Sequence, residues 1–119
     1  IIQYVAAACI AELHLLANSA TTSNVPVSMG KEDHVSMGAT GTYRSLKSTK
    51  LLSQVLANEF ICSAEAIDRI AEKPGSGVIR IVDWVRDWVR PFDGDRAMTS
   101  ECEALSNDLL GGGLQAIFE

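Results

Sequence analysis

The chain has 119 residues, room for one domain and not two. At 47% hydrophobic and 21% charged it has a folding composition, not a disordered one. The formal net charge is −5 and no basic stripe interrupts it, so a nucleic-acid binder that must displace counterions from phosphate is excluded.

The first element is "IIQYVAAACIAELHLLA", apolar almost throughout. It lacks a basic n-region, which argues against a signal peptide. Gln3, Glu12 and His14 interrupt it, and it falls short of the roughly 20 apolar residues that a membrane span needs. The physical alternative is a helix over residues 1 to about 18, buried on nearly every side and therefore in need of a surrounding core. His14 on it reads as a core or interface histidine.

Residues 19–38 are rich in Ser, Thr, Asn and Gly and include Pro26, which favours turns. Loops beyond about 12–15 residues are usually functional or disordered, and the valines and methionines here argue for a folded, functional one. Within it Glu32, Asp33 and His34 stand between two copies of Val-Ser-Met-Gly. Three consecutive side chains rarely converge on one ion, so metal ligation is disfavoured.

A long helix is expected from about 39 to 72, with apolar residues at Leu52, Val55, Leu56, Phe60, Ala64, Ile67 and Ile70 in steps of three and four. Roughly 30 residues make about 45 Å at about 1.5 Å per residue. A compact domain of this size is only about 27 Å across, so this helix should project into something larger. Lys73–Gly77 ends it, and Gly75-Ser76-Gly77 reads as a helix break because it lacks phosphate-loop context. Two shorter helices then run to 113. The first carries Val78, Ile81, Val82, Val85 and Val89 on one side, with Trp84 and Trp88 as a packing ridge, and stops at Pro91. Asp93-Gly94-Asp95 is a turn. Ser100 and Glu103 form a capping-box pattern for the last helix, which Gly111–Gly113 close. The fold class expected is all-α. The three cysteines, Cys9, Cys62 and Cys102, are odd in number and form no C-x-x-C. Neither a disulfide framework nor a zinc site is suggested, and a reducing cytoplasm fits.

Three stretches carry a family resemblance: "QYVAAACIAEL", "LLANSATTSNVPVS" and, most sharply, "KEDHVSMG", Lys31 to Gly38. They resemble the C-terminal part of the aromatic amino acid ammonia-lyase family, and within it the histidine ammonia-lyases. The likeness continues more weakly to "DRAMTSECEAL" and covers nearly the whole chain. It implies a long-helix segment of a helical bundle, incomplete without a partner chain, and a tetrameric assembly, homo- or hetero-oligomeric. The implied reaction is elimination of ammonia from L-histidine to give urocanate. The implied cofactor is methylidene-imidazolone (MIO), formed from an internal Ala-Ser-Gly. No Ala-Ser-Gly occurs here. The cofactor is therefore expected on a partner chain or an N-terminal lyase segment, and the chain is not expected to be active alone. A split subunit, a processed fragment and a shortened chain all fit.

The resemblance also assigns roles. Glu32 matches the position that places a carboxylate beside the substrate side chain in histidine-specific members, where phenylalanine-specific members carry Gln. It is the expected catalytic and substrate-binding residue. A carboxylate accepts a hydrogen bond from an imidazole N–H, whereas against a phenyl ring it would lie desolvated and unpaired. Lys31, in place of the family's usual Gln, stands beside it in the substrate site, lowering the pKa of Glu32 or pointing to solvent. Asp33 and His34 are expected to hold the loop by hydrogen bonds. The alternatives are a non-catalytic helical scaffold that oligomerises, and part of a tyrosine or phenylalanine ammonia-lyase or aminomutase, against which Glu32 argues. Neither a metal, a membrane nor a nucleic acid enters any of these readings.

Overall fold

A computed structural model describes residues 2–32 and 34–119. Five α-helices follow in order: α1 (Ile2–Leu16), α2 (Gly38–Ile67), α3 (Ser76–Trp88), α4 (Thr99–Gly111) and the single turn α5 (Gly113–Ala116). Among the described residues there is no strand, only one isolated β-bridge, and the fold is all-α.

The molecule is long, 69 × 34 × 22 Å, with a radius of gyration of 19.6 Å. A compact chain of this length would have a radius near 13.5 Å, roughly. The excess comes from α2, whose 30 residues form one helix of about 45 Å. Its two halves differ in their main partners, although Ile2 at the start of α1 reaches the core of the second half. The N-terminal half runs antiparallel to α1. The pairs that fix this register are Lys47 with Glu12, an ion pair, and Gln54, whose Oε1 accepts the Cys9 thiol at 3.4 Å. The C-terminal half packs against α3 and α4.

The core lies at that second end. Ala57, Ile61 and Ala64 of α2 meet Trp84 and Val85 of α3, Val89 just beyond it and Leu105 of α4, all at 5% exposure or less. Small residues at Ala57 and Ala64 let the helices approach, and the larger Ile61 and Leu105 fill the space between them. Phe60 and Trp84 meet edge to face, 5.4 Å between centroids. The Trp84 indole N–H donates to Asp108 Oδ2 at 2.7 Å, so the buried ring keeps its polar atom satisfied. Trp88 does not share this environment. It is 41% exposed, and the expected ridge of two tryptophans is one core residue and one surface residue.

Other boundaries differ from expectation for identifiable reasons. The helical pattern of α2 runs on to residue 72, but α2 ends at Ile67 and Asp68 turns. The Asp68 carboxylate accepts from Arg86 Nε at 3.1 Å, and Arg86 also pairs with Glu65 at 2.8 Å, which ties the end of α2 to the end of α3. α3 stops at Trp88, short of Pro91: Val89 is extended and wholly buried, spent on the core and not on another turn. The Ser100–Glu103 capping box does not form. Met98 occupies the cap position without a side-chain bond, and Ser100 lies inside α4. Here the first-turn acid that matters is Glu101, bound in parallel by Arg96 Nε (3.1 Å) and a terminal guanidinium nitrogen (2.8 Å). Gly112, at φ +91°, closes α4 in the left-handed conformation that a side chain would resist.

α1 is the helix least covered. Only Cys9 is buried, while Tyr4 and Leu15 are 78% and 71% exposed, and His14 is exposed in its last turn. On α2 the exposed Tyr43 and Leu46 extend the same apolar surface. No described helix is long and apolar enough to cross a membrane.

Two outcomes follow. The isolated chain should self-associate through the bare face of α1, and analytical ultracentrifugation should show oligomers that grow with concentration, not a dilute monomer. The hydrogen bonds from Arg96 hold the Glu101 carboxyl below the usual carboxylate range. Its stabilising contribution is fully present above the unfolded value of about 4.3 and is lost as pH falls through the lower folded value. Melting temperature against pH should therefore drop less steeply on the acid side in Glu101→Gln than in the parent chain.

Candidate functional site

The segment between α1 and α2 is built from residues whose side chains compete with helix for backbone partners. Asn18 donates to Leu15 O at 3.0 Å and ends α1. Thr22 donates to Ser19 O at 2.8 Å within the 3₁₀ turn Ala20–Ser23. Arg44, nearly two turns into α2, donates to Asn18 O at 2.6 Å and anchors the start of the loop on the long helix.

Glu32 sits at the neck of a narrow turn. Val27 and Glu32 exchange both backbone hydrogen bonds, N to O at 3.1 Å and 3.3 Å. The chain between them turns through Ser28 (φ 54°), Met29 (φ 56°) and Gly30 (φ 80°), three left-handed residues in succession. Two of these carry side chains and so store strain on the order of 1 kcal/mol each or more, which the neck must offset. Met37, at φ 52°, is a third such residue and sits where α2 begins.

A second closure lies outside the first. The Asn24 side chain donates to Val35 O at 2.5 Å and accepts from Val35 N–H at 3.1 Å. One amide thus imitates a strand partner and clasps the loop across eleven residues, with the Val27–Glu32 pair inside it.

Lys31 and Glu32 are neighbours in this turn and both are exposed, as is His34. Asp33 lies outside the described residues. Among the described residues no hydrogen bond or ion pair reaches the side chains of Lys31, Glu32 or His34, and no group of three His, Cys, Asp or Glu residues could hold a metal ion. Around the turn Val25, Val27, Met29 and Val35 also face outward, Met29 at 97%. An exposed carboxylate ringed by exposed apolar side chains on a strained backbone has the chemistry of one wall of a pocket: it can accept a proton or hydrogen bond once a second wall excludes water.

The chain does not contain the means to make an Ala-Ser-Gly-derived group. Its nearest tripeptide, Gly75-Ser76-Gly77, opens α3 on the surface, and a Cβ at Gly75 or Gly77 would meet nothing within 4 Å. An electrophile that must be shielded from water does not fit this open position.

A separate cleft of about 750 Å³ lies near the middle of α2, lined by Gln54, Asn58, Cys62, Phe92, Arg96 and Met98 among others. Asn58 is 20 residues beyond Gly38, about 30 Å along the helix. None of Lys31, Glu32 and His34 lines it. Sequence reasoning missed Asn58 and Arg96. The only signal was a polar residue, Asn58, three before the core position Ile61 and four after Gln54, on one helical face.

The family model for aromatic amino acid lyases matches residues 1–87. Histidine ammonia-lyase from Myxococcus xanthus is 36% identical over 98% of this chain and 23% of that protein. The enzyme of the same name from Natranaerobius thermophilus is 34% identical over the whole chain and 24% of that protein. The crystal structure of histidine ammonia-lyase from Trypanosoma cruzi superposes with a TM-score of 0.87 over 95% of this chain, at 22% identity, and 23% of that structure is covered. The chain thus spans about a quarter of the length of the curated relatives that it matches. Its helices follow the lyase fold, and the chain belongs to the aromatic amino acid lyase family.

Proposed function

We propose that the chain supplies one wall of the active site of a histidine ammonia-lyase, with Glu32 as the carboxylate that meets the imidazole of L-histidine. The observation that carries this is the Glu32 turn: a carboxylate presented from a doubly clasped, strained loop, in a chain whose similar proteins are histidine ammonia-lyases. The product is urocanate. The family's MIO group supplies the electrophile when present, from a segment other than this one. What these residues contribute is selection and proton handling. Glu32 accepts the imidazole N–H and takes up a ring proton as the β-carbon becomes acidic. Lys31 stands next to Glu32 in the substrate site. Asp33 and His34 are assigned to holding the loop in the assembled enzyme, where His34, exposed and unbonded among the described residues here, gains its partner.

The bare face of α1 and the length of α2 support a role as part of a larger helical assembly, tetrameric in this reading and located in the cytoplasm. In such an assembly, Glu32 receives the water-excluding surroundings that it lacks here.

The assembled enzyme tests this through Glu32→Gln, nearly isosteric and uncharged. Fold and assembly should persist while kcat/KM for histidine falls about 10²-fold or more, the mark of a contact that strengthens in the transition state. Unchanged turnover in a correctly assembled variant removes Glu32 from the site. Asn24→Ala should unfasten the outer clasp. Hydrogen exchange should then show faster exchange of the Val35 amide with little change elsewhere, and kcat/KM should fall with melting temperature nearly constant.

A further inference from the structure

The cleft near the middle of α2 is independent of the Glu32 loop. It is bounded by the first turns of α1 (Ile2, Val5), by Gln54, Asn58 and Cys62 of α2, and by Phe92–Glu103. Asn58 is 4% exposed, and its Nδ2 is buried without an acceptor among the described residues. Folded proteins rarely leave a buried donor unpaired, so its partner is to be sought across the cleft. Gln54 lines the same cleft one turn earlier. Its Oε1 is taken by Cys9, which leaves its NH₂ as a second donor on that face.

The charge in the cleft is already matched. Arg96 is engaged by both Glu101 oxygens and by the carbonyls of Arg90 (2.7 Å) and Pro91 (3.3 Å), and Asp95 and Glu103 add negative charge at the rim. Among the described residues an anion finds no free cation here. A neutral carbonyl flanked by apolar groups does fit, with Phe92, Met98 and Cys102 as the walls. The apolar surface does not stop at the rim: Val5 passes it on to the exposed Tyr4 of α1, farther than a small ligand would cover. The relatives extend well past this chain, which spans about a quarter of their length.

We propose that the cleft seats a polypeptide segment from the rest of the lyase fold, its main-chain carbonyl accepting from Asn58 Nδ2 and an apolar side chain packing between Phe92 and Met98. The occupant's identity rests on the lyase function proposed above; the donor pair and the neutral cleft do not. The test uses the chain isolated in its native assembly and the same chain alone. Cys62 lines the cleft and is exposed in the chain alone. Iodoacetamide should label it there and at least about tenfold more slowly in the assembly, as mass spectrometry of the labelled peptide reads out. A photo-crosslinking residue at Met98 should capture a peptide whose sequence belongs to a lyase-family segment. Asn58→Leu should leave the melting temperature of the chain alone unchanged or higher, because the unpaired donor is gone, and should raise dissociation of the assembly about tenfold. An assembly that deaminates histidine with Cys62 labelled at the free rate overturns the cleft proposal and leaves the lyase function standing. Capture of a small molecule or of a second copy's cleft also overturns it. A native isolate with no lyase segment and no activity overturns the function and, with it, this occupant.

Discussion

The unbroken course of α2 is the constraint on which the rest depends. Thirty residues in one helix cannot be wrapped by the other 89 on every side, so the helix divides its labour. Ala57, Ile61 and Ala64 commit its second half to a core with α3 and α4. Its first half receives α1 through a thiol, an ion pair and the Arg44 bond to the chain at Asn18. Because α2 is rigid over its length, the loop at one end and the cleft near its middle are held at a fixed separation. A break in α2 would uncouple them.

At the core end, arginine pairs do the fastening. Arg86 draws together Glu65, Asp68 and the carbonyl of Val89, and Arg96 binds Glu101 while gathering the carbonyls of the 90–91 turn. Both guanidiniums are well sheltered, at 16% and 11% side-chain exposure, so these pairs are screened less than surface ones. The Arg86 pairs let α2 and α3 stop where the core needs them to stop, even where the local helix signal runs on, and the Arg96 pair fixes the start of α4. At the other end, among the described residues, no such ion pair fastens the loop, and Arg44 holds only its start through the Asn18 carbonyl. There the shape rests on backbone pairing at Val27–Glu32 and on one asparagine amide, which leaves Lys31, Glu32 and His34 uncommitted. A site that must meet a substrate keeps its charged groups free in this way, and hydrogen bonds of the main chain carry the shape instead.

The same division shapes the surface. Most of the exposed apolar side chains lie on α1, on the first half of α2 and around the Glu32 turn, while Ile70, Val78, Trp88, Leu110 and Phe118 are exposed elsewhere.

Much of this was legible in the sequence. Steps of three and four in apolar residues marked the long helix, Pro and Gly marked its neighbours, and Glu32 in its lyase-like stretch marked the loop, because periodicity and backbone chemistry are local properties. Tertiary structure alone decided the rest. It ended α2 at Ile67 and drew Val89 out of α3, because an arginine pair and a core vacancy outweigh one more helical turn. It separated Trp84 from Trp88, since only one of them finds Phe60 and Asp108. It voided the Ser100 cap in favour of Arg96–Glu101. It joined Asn24 to Val35 and left Asn58 Nδ2 without an acceptor among the described residues. Each of these depends on which residues distant in the chain arrive at the same place, and no local pattern encodes that.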